Sequence, residues 1–166
     1  MACLLNETMS DLIASLISSC RIKESFDTIC LDTANALCAC VAKKAAEMGV
    51  NAVVAVTGPS GHPISVQCMD DAYIASYDIA VNKAFTVTAL KMSTAELKPL
   101  AQPGGSLYGI QFTNNGKIII FGGGVPLYNK KGRIIGGLGV SGGSEEQDTE
   151  LGNFGGELFA ACLENI

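Results

Sequence analysis

The sequence predicts an α+β domain in which helices pack over a mostly antiparallel sheet. Three observations carry this. Apolar residues in the first half recur at helical spacing. Short apolar runs later in the chain are separated by turn-forming pairs, as tight hairpins require. Glycine is uneven: residues 1–103 hold three and residues 104–156 hold sixteen. The first part therefore reads as helix-rich and the second as turn-rich.

The elements follow in order. Leu5, Met9, Leu12, Ile13, Leu16, Ile17 and Cys20 give residues 5–20 one apolar helical face. A second helix is expected over about 30–48, with Ala34, Leu37, Cys38, Val41, Ala45 and Met48 on one side and Gly49 as its stop. Residues 51–57 read as a buried strand, and 63–68 return from a Gly58-Pro59-Ser60-Gly61 turn. A third helix covers about 73–92, where Ser76, Ala80, Ala84 and Thr88 form a small-residue stripe that another backbone can approach. Pro99 and Pro103 are expected to end the helical region. Three strands are predicted next, at about 108–112, 117–121 and 133–140, with an Asn115-Gly116 hairpin turn between the first two. The last helix spans about 144–163, opened by a Ser144–Gln147 capping box.

A length of 166 residues suits one domain. Apolar residues make up 48% and charged residues 16%, which excludes intrinsic disorder. The net charge of −5 argues against a nucleic-acid partner. No apolar run is long enough to span a membrane. The seven cysteines show no zinc spacing, and no secretory signal is visible, so a reduced cytoplasmic setting is expected.

Two motifs in the glycine-rich part fail on context. Gly137-Leu138-Gly139-Val140-Ser141-Gly142 fits a dinucleotide fingerprint, but only 24 residues follow, too few for the helix and the second parallel strand. Gly139-Val140-Ser141-Gly142-Gly143 fits a nucleophile elbow, but the one histidine, His62, lies upstream of the serine. What remains is a helix N-terminus behind a Gly-Ser loop, a place where anions bind. Its own Glu145, Glu146 and Asp148 already suit that dipole.

Several segments in fixed order carry a resemblance. They are Met69-Asp70-Asp71-Ala72, Ser76 with Ala80-Val81-Asn82-Lys83-Ala84, Gly122-Gly123-Gly124-Val125-Pro126, the run from Ile135 to Gly142, and Glu146-Gln147-Asp148. Over about residues 27–160 the chain resembles the GlcG/HbpS-like family, which includes haem-binding HbpS proteins and the C-terminal domain of PduO-type corrinoid adenosyltransferases. The resemblance implies a profilin-like fold with a five-stranded antiparallel sheet, and homo-oligomers. It implies haem or corrinoid as ligand, and links to glycolate metabolism or to diol and glycerol metabolism in bacterial microcompartments. Residues 25–166 would be the family domain and 1–24 an appended amphipathic helix. That helix resembles those that dock cargo into microcompartment shells, or else packs on its own domain or at a subunit contact. Adenosyl transfer belongs to the other domain of the PduO proteins and is not expected.

The chain departs from the family pattern in places. The first hairpin carries Thr57-Gly58-Pro59-Ser60-Gly61 without the usual acid, and Cys68 stands where arginine is common. The haem-ligating histidine of PduO-type domains has no counterpart; Cys30, Cys38 and Cys40 occupy that region, as packing groups or as thiolate ligands.

The expected ligand pocket lies between the third helix and the glycine loops. Gly122, Gly123 and Gly124 would form its floor, Tyr73, Tyr77 or Phe112 its wall, and Ser141 and Gly142 its donors, with Asp70 nearby. Lys83 either meets an anionic arm of the ligand or pairs with Asp70 or Asp148. His62 is either an exposed turn residue or an axial ligand to a neighbouring subunit. Glu145 and Asp148 are spaced like a carboxylate metal site, or simply complement the helix dipole. With no well-placed histidine, haem is expected to bind no tighter than about micromolar. Three classes of function follow: a tetrapyrrole-binding accessory protein, an enzyme acting on haem or on a small hydroxy acid or aldehyde, and a structural cargo protein. No convincing acid–base–nucleophile set supports the second, and the first ranks highest.

Overall fold

The computed structural model describes residues 27–164 together with Thr8, Asp11, Leu12 and Ala14. The elements run α1 (Leu31–Glu47), β1 (Val53–Thr57), β2 (Pro63–Cys68), α2 (Ile74–Leu90), α3 (Thr94–Ala101), β3 (Gly124–Tyr128), β4 (Ile134–Ser141) and α4 (Glu145–Glu164). The sheet order is β2-β1-β4-β3, every pair antiparallel. The antiparallel α+β expectation is met, but the sheet of the described residues has four strands, not five. No described helix is long and apolar enough to cross a membrane.

The missing strands have a physical reason. Residues 110–112 and 114–116 are 3-10 turns, and Asn114 and Asn115 take positive φ there. Asn-Gly makes its turn, but not as a hairpin. The apolar run after it is held to α2 instead of to a strand: the Ile119 N–H donates to the Thr86 hydroxyl at 3.0 Å. The strand that does pair, β3, contains Pro126 and begins on the last of three consecutive glycines. Proline cannot donate to a ladder, and β3 tolerates it because it is an edge strand. Pro99 lies inside α3 instead of ending the helical region; a Ser93–Glu96 capping box starts that helix.

Alternation in β1 and β4 builds two faces. Val54, Val56, Leu138 and Val140 face α1 and α4, forming the main core with Leu37, Val41, Leu151, Leu158 and Phe159. Val53, Ala55, Gly139 and Ser141 face α2. A Cβ on Gly139 would overlap the Ala80 carbonyl, and one on Gly137 the Ala84 carbonyl. The small-residue stripe of α2 thus lies directly on glycine backbone. Most of the predicted first helix, 5–20, falls outside the described residues. Within it, the Asp11 carboxylate accepts from the Thr8 N–H and hydroxyl, both at 2.8 Å, and Leu12 packs against the main core.

Ala80 is fully buried under this contact. Ala80→Leu should cost about 1–3 kcal/mol by overpacking, measured by urea denaturation. A wild-type midpoint would mean that α2 does not seat this closely on β4.

Candidate functional site

The close seating of α2 brings its N-terminal turn beside the end of β4. Ser76 and Ser141, 3% and 4% exposed, meet there, and the Ser141 hydroxyl donates to the Ser76 oxygen at 3.2 Å. A groove of about 430 Å³ opens above them, walled by Tyr73, Ile79 and Phe121, with Gly142 and Gly143 at the α4 end. Tyr73 is the N-cap of α2 but supplies no side-chain cap, and the first turn of α2 holds no acid. That helix end keeps a positive field toward the groove. The α4 end does not: Ser144 and Gln147 cap each other, as the sequence predicts, and the Gly143 N–H donates to Asp148 at 2.9 Å.

Lys83 reaches across from α2 under the groove. It is fully buried, and its Nζ donates to the Val140 carbonyl at 2.7 Å and to Asp148 Oδ2 at 2.8 Å. The Phe121 ring lies 4.9 Å from the same ammonium. Burial lowers the lysine pKa, while the Asp148 charge and hydrogen bond work against that shift. Of the alternatives for Lys83, the geometry is that of a pair with Asp148. Gly123, at φ +110°, leaves room for it: a Cβ there would come within 2.7 Å of the Lys83 Nζ.

The predicted site residues divide. Tyr73, Ser141, Gly142, Glu145 and Asp148 line one groove. Gly122, Gly123 and Gly124 lie next to it but are buried against Thr149, the Lys83–Asp148 pair and Thr94, so they face this chain's own groups. Asp70 is exposed in the turn before α2, and Tyr77 and Phe112 stand exposed outside the groove lining.

Of the candidate metal residues, Glu145 and Asp148 share the groove and His62 does not join them. His62 sits in the β1–β2 turn, at the far end of β1 from Ser141, where its Nδ1 pairs with the Ser60 hydroxyl at 3.0 Å. Glu145 accepts from the Gly122 N–H and from Lys98, and these bonds hold its carboxyl below the ordinary range. No cluster of three or more His, Cys, Asp or Glu able to hold a metal occurs among the described residues. Burial pushes the Cys38 thiol up to about 11, so it stays protonated and donates weakly to the Val54 carbonyl.

Sequence reasoning missed Phe121 and the place of Ser76 in the groove. By sequence, Phe121 is the end of an expected strand. By sequence, Ser76 is one of four small residues, and its being the only serine of that stripe is the one signal that marks it.

The sequence profile of a family described as "Haem degrading protein HbpS-like" matches residues 29–155. The chain belongs to the HbpS-like family. This HbpS-like chain is 43% identical, over 80% of its own length and 93% of the relative's, to an uncharacterized 15.0 kDa protein from the dhaT-dhaS intergenic region of Citrobacter freundii. It is 40% identical to Citrobacter freundii corrinoid adenosyltransferase PduO, but spans only 32% of that protein's length. Among solved structures, Klebsiella pneumoniae protein ORFY matches with a TM-score of 0.78 at 42% identity, covering 86% of this chain and 97% of that one. A PduOC:heme complex matches with a TM-score of 0.71 at 37% identity, covering 74% and 88%.

In this HbpS-like chain the buried pair is the feature most exposed to mutation. Lys83→Met leaves a buried carboxylate without its cation and should cost about 3–5 kcal/mol. Adding Asp148→Asn removes that charge while keeping an acceptor for the Gly143 N–H, so the double variant should recover part of the loss. Urea denaturation of the full double-mutant cycle measures this. Additive losses would mean that the two residues do not act as a pair.

Proposed function

We propose that the chain is an accessory protein that binds a tetrapyrrole, haem or a corrinoid, in the groove between the first turn of α2 and the Ser141–Gly143 loop. One observation carries this reading: the groove joins flat apolar wall, from Tyr73 and Phe121, to a buried serine pair and an uncapped helix N-terminus. A flat ring with carboxylate arms suits such a surface, the ring against the aromatic groups and an arm at the free N–H groups of α2. The residues present fit haem in this respect. Membership of the HbpS-like family and the likeness to a PduOC:heme complex support it. The likeness to a PduO protein supports a corrinoid as the other candidate.

Binding is favoured over catalysis because the acids of the groove are committed. Asp148 holds Lys83 and the Gly143 N–H, and Glu145 holds Lys98 and the Gly122 N–H. Service to diol or glycerol metabolism is the setting we infer, supported by the dhaT-dhaS and PduO relatives; glycolate metabolism is the alternative.

Hemin and cobalamin titrated separately into the purified protein, with absorbance followed at the Soret and corrin bands, test the reading. A saturable change with one of them is expected. No saturable change with either would overturn it.

We infer that residues 1–24 do not act as a docking tag for a microcompartment shell. The contact of Leu12 with the main core supports this. Fused to a fluorescent protein in a shell-producing host, residues 1–24 should leave the fluorescence diffuse. Fluorescence concentrated in shells would reverse the assignment.

A further inference from the structure

We propose that the open edge of β2 is an interface at which a second copy of this chain pairs strand to strand, joining two sheets into one.

The two edges of the sheet differ. At β3 the first outward N–H, that of Gly124, donates to the Thr94 hydroxyl at 2.8 Å. The next outward position is Pro126, which has no N–H to offer. That edge is closed to another strand. The β2 edge has no such cover. The Met69 N–H donates to the Ala52 carbonyl at 3.0 Å, and antiparallel bonds alternate, so the N–H and C=O groups of Val66 and Cys68 point away from β1. No backbone partner outside the sheet meets them among the described residues. Natural edge strands are commonly blunted by charge or by an internal proline. Residues 63–68 carry no charge, and their one proline is the first residue.

Three observations make a second copy the occupant. Antiparallel pairing about a two-fold axis sets a strand against its own sequence, and a charged strand would oppose its own charges there. Centred on Val66, this strand opposes Val66 to the partner's Val66, Ser65 to the partner's Gln67 and Cys68 to the partner's Ile64, with no charge among them. Because β3 is closed, β2 can meet only another β2, so the pairing stops at two copies and does not grow into a fibre. Apolar groups also flank the edge on both faces. Leu31, 56% exposed, stands one turn before Asn35, whose carbonyl accepts from Gln67 Nε2 at 3.1 Å on the α1 side. Tyr77, 49% exposed, stands one turn before Val81, which borders the α2-side cluster together with Val66. A strand added here extends the sheet beside both, and their burial adds to the backbone bonds gained.

The test uses the full chain. Sedimentation velocity over a range of concentrations compares wild type, Val66→Pro and Val66→Lys. Wild type should dimerise. Val66→Pro should raise the dimer dissociation constant at least about tenfold. It removes an outward N–H at a position where an edge strand tolerates proline, so far-ultraviolet circular dichroism should stay that of wild type. Val66→Lys sets two ammonium groups against each other, so its dimer should be weak at low salt and partly restored at high salt, a dependence that a folding defect would not produce. Val66→Cys should give a disulfide between copies on oxidation, located by peptide mass spectrometry. An opposed hydrogen-bonded pair holds its Cα atoms about 5.5 Å apart, within disulfide reach. A wild type that stays monomeric overturns the proposal. So does an assembly of any size that Val66→Pro and Val66→Lys leave intact, since the copies then meet on another surface. A dimer in which Val66→Cys forms no bridge at position 66 overturns the strand pairing. A larger assembly that both variants reduce supports the β2 edge as one of its contacts.

Discussion

Backbone meets backbone where α2 crosses β4, and the rest of the molecule is arranged around that contact. Gly137 and Gly139 supply no side chain on the α2 side of the sheet, and Ala80 and Ala84 supply almost none on the helix. Ordinary side chains would hold the helix near the usual spacing of a helix on a sheet. Here the carbonyls of Ala80 and Ala84 sit where a Cβ of β4 would be. The contact is tight enough for Thr57, on β1, to donate its hydroxyl to the Ala84 carbonyl at 3.2 Å. Close packing of this kind has few alternatives, because interiors at crystal-like density do not deform continuously. One turn before Ala80 comes Ser76, and two residues after Gly139 comes Ser141. The serine pair under the groove is a consequence of the helix height.

The same closeness explains the buried charge. Lys83 follows Ala80 by three residues, so its stem has no room to run outward over the sheet and turns toward the end of β4 instead. There it finds the Val140 carbonyl and Asp148. Two ionised groups out of water carry a large desolvation cost, which the pair offsets only because each is bonded a second time. Lys83 also holds a carbonyl, and Asp148 also holds the Gly143 N–H. The pair therefore fixes the turn that follows β4 and the start of α4 relative to α2. Its role in the groove is to position the loop that carries Ser141 and Gly143.

Periodicity made α1 and α2 legible, because each has a continuous apolar or small-residue face, and the Ser144–Gln147 capping box made α4 legible. Alternation with a turn made β1 and β2 legible. The edge strand β3 was not, since glycine and proline mark turns in most settings and only the edge position makes Pro126 acceptable. The run 117–121 has the composition of a strand, but Thr86 takes the N–H of Ile119 that a neighbouring strand would have taken. That choice is tertiary, and no local pattern records it. At the site, Lys83 was legible as a charge among small residues and Asp148 as an acid in the first turn of a helix, and their pairing was one alternative beside Asp70 or a ligand anion. What chose Asp148 over Asp70 was the height of α2, which places Asp70 in an exposed turn beyond the helix start.

The glycine run that imitates a dinucleotide fingerprint has its full cause in packing. Gly137 and Gly139 face the α2 backbone, and a Cβ on Gly142 would strike the Asn51 carbonyl on the neighbouring chain segment. None of the three is needed to let a phosphate approach. A glycine motif states only that something comes close; it does not state whether that is a ligand or the protein itself. The serine within the run is different, because a hydroxyl buried at the edge of an all-glycine approach must be matched. Ser76 matches it from α2, and a two-hydroxyl pair has donor and acceptor capacity beyond one mutual bond. That surplus, at the foot of an aromatic wall and beside an uncapped helix end, is the part of the run that has chemistry to offer a ligand.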